Sequence, residues 1–183
     1  MTKLESAELF AKTKHAHMKR KDGITPYFEH LKDVVSRLMS VGIDDEEILC
    51  AGWLHDTIED TDTDFDDIYE RFSRNVAIMV ASVTKDKRLV RKEREKQYLK
   101  QLKDATWQAQ LIKLCDISAN LKDLKNSGLS RSKRAKQVKN KLDYLNAIKS
   151  GIADNKSKVP RVQSILDAIN KILKKHGHIP VIL

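Results

Sequence analysis

Glycine and proline are scarce in this 183-residue chain, at six and three, and aromatic residues make up only 5% of it. No stretch alternates polar and apolar residues for long enough to read as a strand. These absences exclude a collagen-like or β-rich chain and leave long segments of helical periodicity, so the expected class is all-α. No apolar run approaches the ~20 residues that cross a bilayer. The N-terminus has no apolar signal core. No membrane partner is expected, and the expected compartment is the cytoplasm. The only cysteines, Cys50 and Cys115, both sit in apolar helical stretches. They read as reduced core thiols rather than a disulfide, and less still as metal ligands. The length suits one domain with a single core, residues 1–183.

Charge is abundant and uneven. The net charge is +9; residues 1–120 carry 20 Lys/Arg against 22 Asp/Glu, whereas 121–183 carry 15 against 4. A basic C-terminal part is compatible with nucleic acid, an acidic surface or an anionic substrate, but its commonest meaning is a solvated helix face. Only Tyr144 interrupts the basic run with an aromatic, so base stacking has little to use and a nucleic-acid partner is disfavoured.

Helices are expected over 3–20, from Thr25-Pro26 to about Ser40 with Thr25 as cap, and from an Asp44 cap to about Ile58. Others follow over 65–72 behind Thr63 or Asp64, from Ser73 to Val83, over 85–104, 106–124, about 130–149 and about 160–175. Lys19 to Thr25 reads as a basic loop turning at Gly23, and Gly151–Lys158 as a loop. Helix 106–124 is amphipathic, with Asp116 interrupting its apolar side.

The densest chemistry lies in His55-Asp56-Thr57-Ile58-Glu59-Asp60-Thr61, directly after an apolar run. Buried carboxylates are costly unless paired or metal-bound. His55 and Asp56, together with His30 and Asp116 from two other helices, form a mixed imidazole and carboxylate set. That set suits a borderline first-row ion such as Mn, Fe or Zn and leaves positions open for water and substrate. Alone, His30 would read as a surface histidine and Asp116 as a helix-end partner; the joint pattern favours a metal centre. Glu59 and Asp60 either work on water one turn beyond the pair or cap the next segment. Lys113 either shares the site face with Asp116, three residues on, or pairs with a nearby acid. Arg20 and Lys21 can offset the acidic site for an anion, with Arg20 able to grip phosphate bidentately.

Several segments occur together and in order. They are Lys14-His15 with Arg20-Lys21-Asp22, Thr25-Pro26-Tyr27-Phe28-Glu29-His30, Trp53-Leu54-His55-Asp56-Thr57-Ile58-Glu59-Asp60-Thr61, Val83-Thr84, Leu111 to Asp116, and Asn120 to Leu124. On these motifs the chain resembles the HD-domain superfamily, and more closely the RelA/SpoT-type hydrolase domains, especially the small stand-alone alarmone hydrolases. The resemblance covers about residues 5–125 and leaves a basic helical part over about 126–183. It implies a single-domain HD-type helical bundle. It places His30, His55, Asp56 and Asp116 at the metal-ligand positions, usually manganese in that family. It places Glu59 and Asp60 at the water-activating pair, Arg20 and Lys21 beside the substrate phosphates, and Asn120 in the nucleotide pocket. The implied activity is removal of the 3′-pyrophosphate of guanosine tetra- or pentaphosphate, so the implied partner is a small nucleotide. His15 falls near the substrate loop as a supporting residue, while His17, His176 and His178 read as surface residues. The chain departs from the family pattern at Leu31, Lys85 and Ile117-Ser118-Ala119. The chain ends at Leu183, so no synthetase region is expected to follow. Two alternatives compete: a related phosphohydrolase acting on NADPH or a 5′-nucleotide, and a catalytically idle nucleic-acid-binding module.

Overall fold

The computed structural model describes residues 1–183 as an all-helical bundle. Its helices are α1 (Lys3–Lys14), α2 (Phe28–Ser40), α3 (Glu46–Leu54), the single turn α4 (Thr57–Asp60) and α5 (Phe65–Arg71). They are followed by α6 (Arg74–Val83), α7 (Arg91–Asp104), α8 (Trp107–Asp123), α9 (Arg131–Asp154) and α10 (Val162–Lys175). Helix α8 is the central element: α2, α3, α6, α9 and α10 all pack on it. Its sequence explains this position. Leu111, Ile112, Leu114, Cys115, Ile117 and Ala119 are fully buried, so α8 is apolar on nearly every side and must be enclosed. Both cysteines are free and buried in this core.

Several boundaries differ from those expected, each for a local reason. Helix α1 stops at Lys14, and His15 closes it by bonding the Ala11 carbonyl through Nδ1 at 2.8 Å. The following residues form a loop clasped by an isolated Lys19–Pro26 bridge, with Arg20 N–H donating to Thr25 O at 2.8 Å. Thr25 is therefore not the cap of α2. Its hydroxyl donates to Asp22 Oδ2 at 2.6 Å, and the cap position is Tyr27. Helix α3 is capped by Asp45, not Asp44, through a 3.0 Å bond from Ile48 N–H. It does not run on to Ile58, because side chains take the carbonyls that would continue it. His55 Nδ1 bonds Gly52 O at 2.8 Å and Thr57 Oγ1 donates to Leu54 O at 2.6 Å.

Residues 85–90 are not helical, and α7 begins only at Arg91. Helix α9 passes straight through Gly151 to Asp154, where a loop was expected. Gly151 meets α8 so closely that a Cβ there would lie 1.9 Å from Gln110 Oε1. The glycine therefore marks close helix packing and not a break. Gly52 plays the same part between α3 and α2, where a Cβ would lie 2.7 Å from Leu38 Cδ1.

Candidate functional site

Three helix segments deliver the acidic and imidazole groups to one point. His30 comes from the first turn of α2, His55 and Asp56 from the break between α3 and α4, and Asp116 from the middle of α8. Both rings are buried. The ligand atoms of His30, His55 and Asp56 lie within 4.8 Å of one another. His30 Nε2 stands 3.5 Å from Asp56 Oδ2 and 3.3 Å from Asp116 Oδ1, and His55 Nε2 stands 3.1 Å and 3.9 Å from the same two oxygens.

The side chains fit a cation by an observation independent of their type. His55 Nδ1 is engaged with the Gly52 carbonyl, which leaves Nε2 as the lone-pair nitrogen, and that buried Nε2 has no hydrogen-bond partner. Both ring nitrogens of His30 are likewise buried without partners. Orphaned buried nitrogens facing two carboxylates are what a divalent ion would satisfy. Without an ion, burial disfavours charge on His55, but Asp56 and Asp116 outweigh it and raise the ring's pKa. Burial likewise opposes charge on Asp56, yet the His55 and His30 rings hold its carboxyl well below the ordinary range.

Glu59 and Asp60 occupy the single turn α4. Capping of the next helix falls to Asp64, which forms a reciprocal pair with Asp67, so the two upstream acids are free of that duty. Glu59 accepts a 3.0 Å bond from the Lys85 backbone N–H. Burial first, and then the Asp56 charge, raise its pKa. Asp60 accepts from Lys87 Nζ at 2.8 Å and from the Tyr27 hydroxyl at 3.2 Å.

The basic groups divide into two sets. Arg20, Lys21 and Asn120 line one small polar cavity of about 110 Å³. Arg20 is already engaged there, with Nε and Nη2 3.1 and 3.0 Å from Asp123 Oδ2 and Nη2 2.8 Å from Asn120 Oδ1. Asn120 in turn donates to Asp116 Oδ1, which ties this cavity to the acidic cluster. The second set is deeper. Lys113 Nζ lies 2.7 Å from Asp116 Oδ2, so its site-facing and ion-pairing roles coincide. Burial opposes the Lys113 charge, but Asp116 raises its pKa well above the ordinary value. Lys141 Nζ stands 4.0 Å from the same oxygen. Burial pulls its pKa down to about 8, with Asp116 working against the fall and Lys113 and Lys85 adding to it.

Sequence reasoning did not single out four groups of this site. The Tyr27 hydroxyl donates to Asp56 Oδ2 at 2.7 Å, which fixes that carboxylate. Tyr98 and Tyr144 meet edge to face at 5.3 Å, and the ammonium groups of Lys85 and Lys113 lie 4.8–5.4 Å from their ring centres. Lys141 ends the basic segment 131–141, which could read as the rim of an anionic pocket but more readily as a solubilising face, and nothing in the segment marked this one lysine. The available signal was its i, i+3 spacing to Tyr144, the one aromatic in that run. Of the departures from the family pattern, Ile117, Ser118 and Ala119 are buried, and only Lys85 reaches the site, its Nζ donating to Tyr144 Oη at 2.8 Å. His15 is buried and stacked on Tyr27 at 5.1 Å, a supporting position. His17 and His176 are exposed and His178 partly so, as expected.

The model of the HD domain family matches residues 7–147, well past the 125 or so reached by the motifs. The chain belongs to the HD domain family. Among relatives of this HD protein, a Danio rerio guanosine-3′,5′-bis(diphosphate) 3′-pyrophosphohydrolase MESH1 is 43% identical over 117 residues, covering 63% of the chain and 65% of that relative. An Aquifex aeolicus guanosine-3′,5′-bis(diphosphate) 3′-pyrophosphohydrolase is 36% identical over 135 residues, covering 74% of the chain but 19% of that longer protein. The chain thus spans under two thirds of both relatives. A solved structure of a metazoan ortholog of SpoT, described as hydrolysing ppGpp, superimposes with a TM-score of 0.85 at 28% identity, covering 98% of each chain.

Proposed function

We propose that this HD protein is a metal-dependent hydrolase that removes the 3′-pyrophosphate of guanosine 3′,5′-bis(diphosphate) or of the corresponding pentaphosphate, yielding pyrophosphate with GDP from the first and GTP from the second. The carrying observation is the meeting of two opposite sets at one cleft. His30, His55, Asp56 and Asp116 present donors for a cation, and Lys113 and Lys141 stand 2.7 and 4.0 Å from Asp116, with Lys85 against the neighbouring Tyr98 and Tyr144 rings, as a match for a polyanion. The activity carried by the similar proteins' names supports the same reading.

In this reading the four His and Asp side chains hold one divalent ion, and Mn²⁺ suits their mixed imidazole and carboxylate chemistry. Such an ion lowers the pKa of a bound water and polarises a phosphoryl oxygen. Glu59, its pKa raised by burial and by Asp56, is placed to take the proton of the attacking water near neutral pH. Asp60 shares that water, and Tyr27 holds Asp56 in register. Arg20, Lys21 and Asn120 line the outer side of the nucleotide's phosphates, with Lys113 on the inner side. Residues 1–183 work as one unit, because α9 supplies Lys141 and Tyr144 to a cleft built from α2, α3, α4 and α8. No helix is long and apolar enough to cross a membrane, and we assign the protein to the cytoplasm.

The test is a substrate panel with the purified protein and Mn²⁺, scored as pyrophosphate against orthophosphate. Pyrophosphate release from guanosine tetraphosphate is the expected result. Activity on NADPH or a 5′-nucleotide, with none on guanosine tetraphosphate, would overturn the alarmone reading and leave the metal reading intact.

A further inference from the structure

Helix α8 has two working faces. At ~100° per residue, Lys113, Asp116, Asn120 and Asp123 fall on one side, and they face the cleft described above. Ser118, Leu121 and Lys122 fall on the opposite side, and with Lys125 in the turn beyond α8 they line a separate cavity of about 460 Å³ between α2, α8, α9 and α10. Six cationic side chains surround it: Arg37 from α2, Lys122 from α8, Lys125 from the turn after it, Arg134 from α9, and Lys171 and Lys175 from α10. No carboxylate lines it. Its apolar wall is Leu121, Leu124 and Ile172.

The charge here is not balanced within the protein. Asp33 is the single acid paired with these six cations, 3.1 Å from Arg37 Nη2 and 3.3 Å from Lys122 Nζ. Lys125, Arg134, Lys171 and Lys175 have no ion-pair partner, although elsewhere on the surface Lys14, Arg88, Lys100 and Lys139 do. Arg37 Nε is buried and has no hydrogen-bond partner at all. A solvated basic face would show neither a cavity of ligand size nor a buried, unbonded guanidinium nitrogen. Bringing several like charges around one hollow costs folding energy that a bound anion would offset.

We infer that this hollow is a second anion site, for a small phosphorylated molecule with an apolar or planar body: a nucleoside di- or triphosphate. The volume lies within the usual range for a small-molecule site. Arg37, with a planar fork of donors, and the ring of ammonium groups suit two or more adjacent phosphates. The leucine and isoleucine wall suits a nucleoside body. The wall carries no Phe, Tyr or Trp and its one ring is that of His176, so the hollow lacks the successive stacking platforms of a single-strand nucleic-acid groove. Because it lies across α8 from Asp116, a ligand there would act through the helix that carries Asp116 and Lys113. This site does not depend on the alarmone reading.

The test is calorimetric titration of GTP into the full-length protein and into two charge-reversal variants. K171E/K175E alters exposed side chains on this side of α8, and K21E alters the cleft on the other side. Circular dichroism shows that each is folded. A GTP site weakened about 10-fold or more by K171E/K175E and retained in K21E is expected. Equal affinity in the wild type and K171E/K175E would overturn the inference. So would inorganic pyrophosphate binding as tightly as GTP, which would remove the role of the apolar wall, or a short DNA duplex binding more tightly than GTP.

Discussion

Replacing Lys113 by Met removes one charge from the most enclosed lysine–carboxylate pair of the molecule while keeping the length of the side chain. Lys113 and Asp116 are 9% and 4% exposed and their charged atoms are 2.7 Å apart. At that separation and an effective dielectric of about 20, the gross attraction is on the order of 6 kcal/mol. Desolvation cancels much of it, and measured costs of removing one partner of a buried pair are about 3–5 kcal/mol. Asp116 would keep the Asn120 amide and Lys141 at 4.0 Å, so the lower end, about 3 kcal/mol, is expected in the metal-free protein. Urea unfolding in EDTA measures it. The pH window follows from the two shifts. The raised Lys113 pKa makes its contribution complete below ~10.4 and lost as pH rises through the folded value. The lowered Asp116 pKa makes its contribution complete above ~3.9 and lost as pH falls through the folded value. The loss in K113M is therefore flat around neutrality and shrinks in strong acid. If Asp116 binds the proposed ion, saturating Mn²⁺ supplies the missing positive charge and the deficit falls to about 1 kcal/mol or less. The same cycle requires K113M to bind Mn²⁺ on the order of 30-fold more tightly, since ~2 kcal/mol of linkage separates the two states. An identical deficit in EDTA and in Mn²⁺, with unchanged affinity for the ion, would refute the placement of Asp116 at the metal.

Other substitutions probe the remaining parts of the site and fold. H55A should lose the bound ion by metal analysis while keeping its helical circular dichroism; full occupancy would end the four-ligand assignment. E59Q should keep the ion and lower kcat by about 10²-fold or more. A raised folded pKa makes the ionised Glu59 unfavourable at all pH above it, so the metal-free E59Q protein should also melt higher at neutral pH. R20A should raise KM for the nucleotide about 10-fold or more, because it deletes a cation and leaves Asp123 bare at the rim; an unchanged KM would make Arg20 a scaffold for Asn120 only. G151A should destabilise by about 1–3 kcal/mol, since it displaces Gln110 and breaks its bonds to Leu102 O and Lys103 O, against a helix-propensity gain of about 1 kcal/mol. A higher melting temperature in G151A would contradict the close α8–α9 packing.

What could be read from residues alone were the features with a short-range signature. Helical periodicity and the lack of alternation established the all-α class, and dense, ordered motifs drew attention to His30, His55, Asp56 and Asp116, whose side chains the fold brings within 3.1–3.9 Å of one another across the imidazole–carboxylate contacts. Short-range signals failed where a side chain overrides the backbone, as at the His55–Asp56 break, or where a distant element decides the outcome. Gly151 reads as a breaker until α8 is seen pressing against it. Lys141 reads as a solvated charge, because nothing in the run 131–141 shows that its fourth turn faces Asp116 from across the cleft. The same holds for the basic hollow: Arg37, Lys125, Arg134 and Lys175 lie far apart in the chain, and only the enclosure of α8 brings their charges together. Local chemistry is written in residue order, whereas burial, pairing and the matching of charge depend on which helices the shared core draws together.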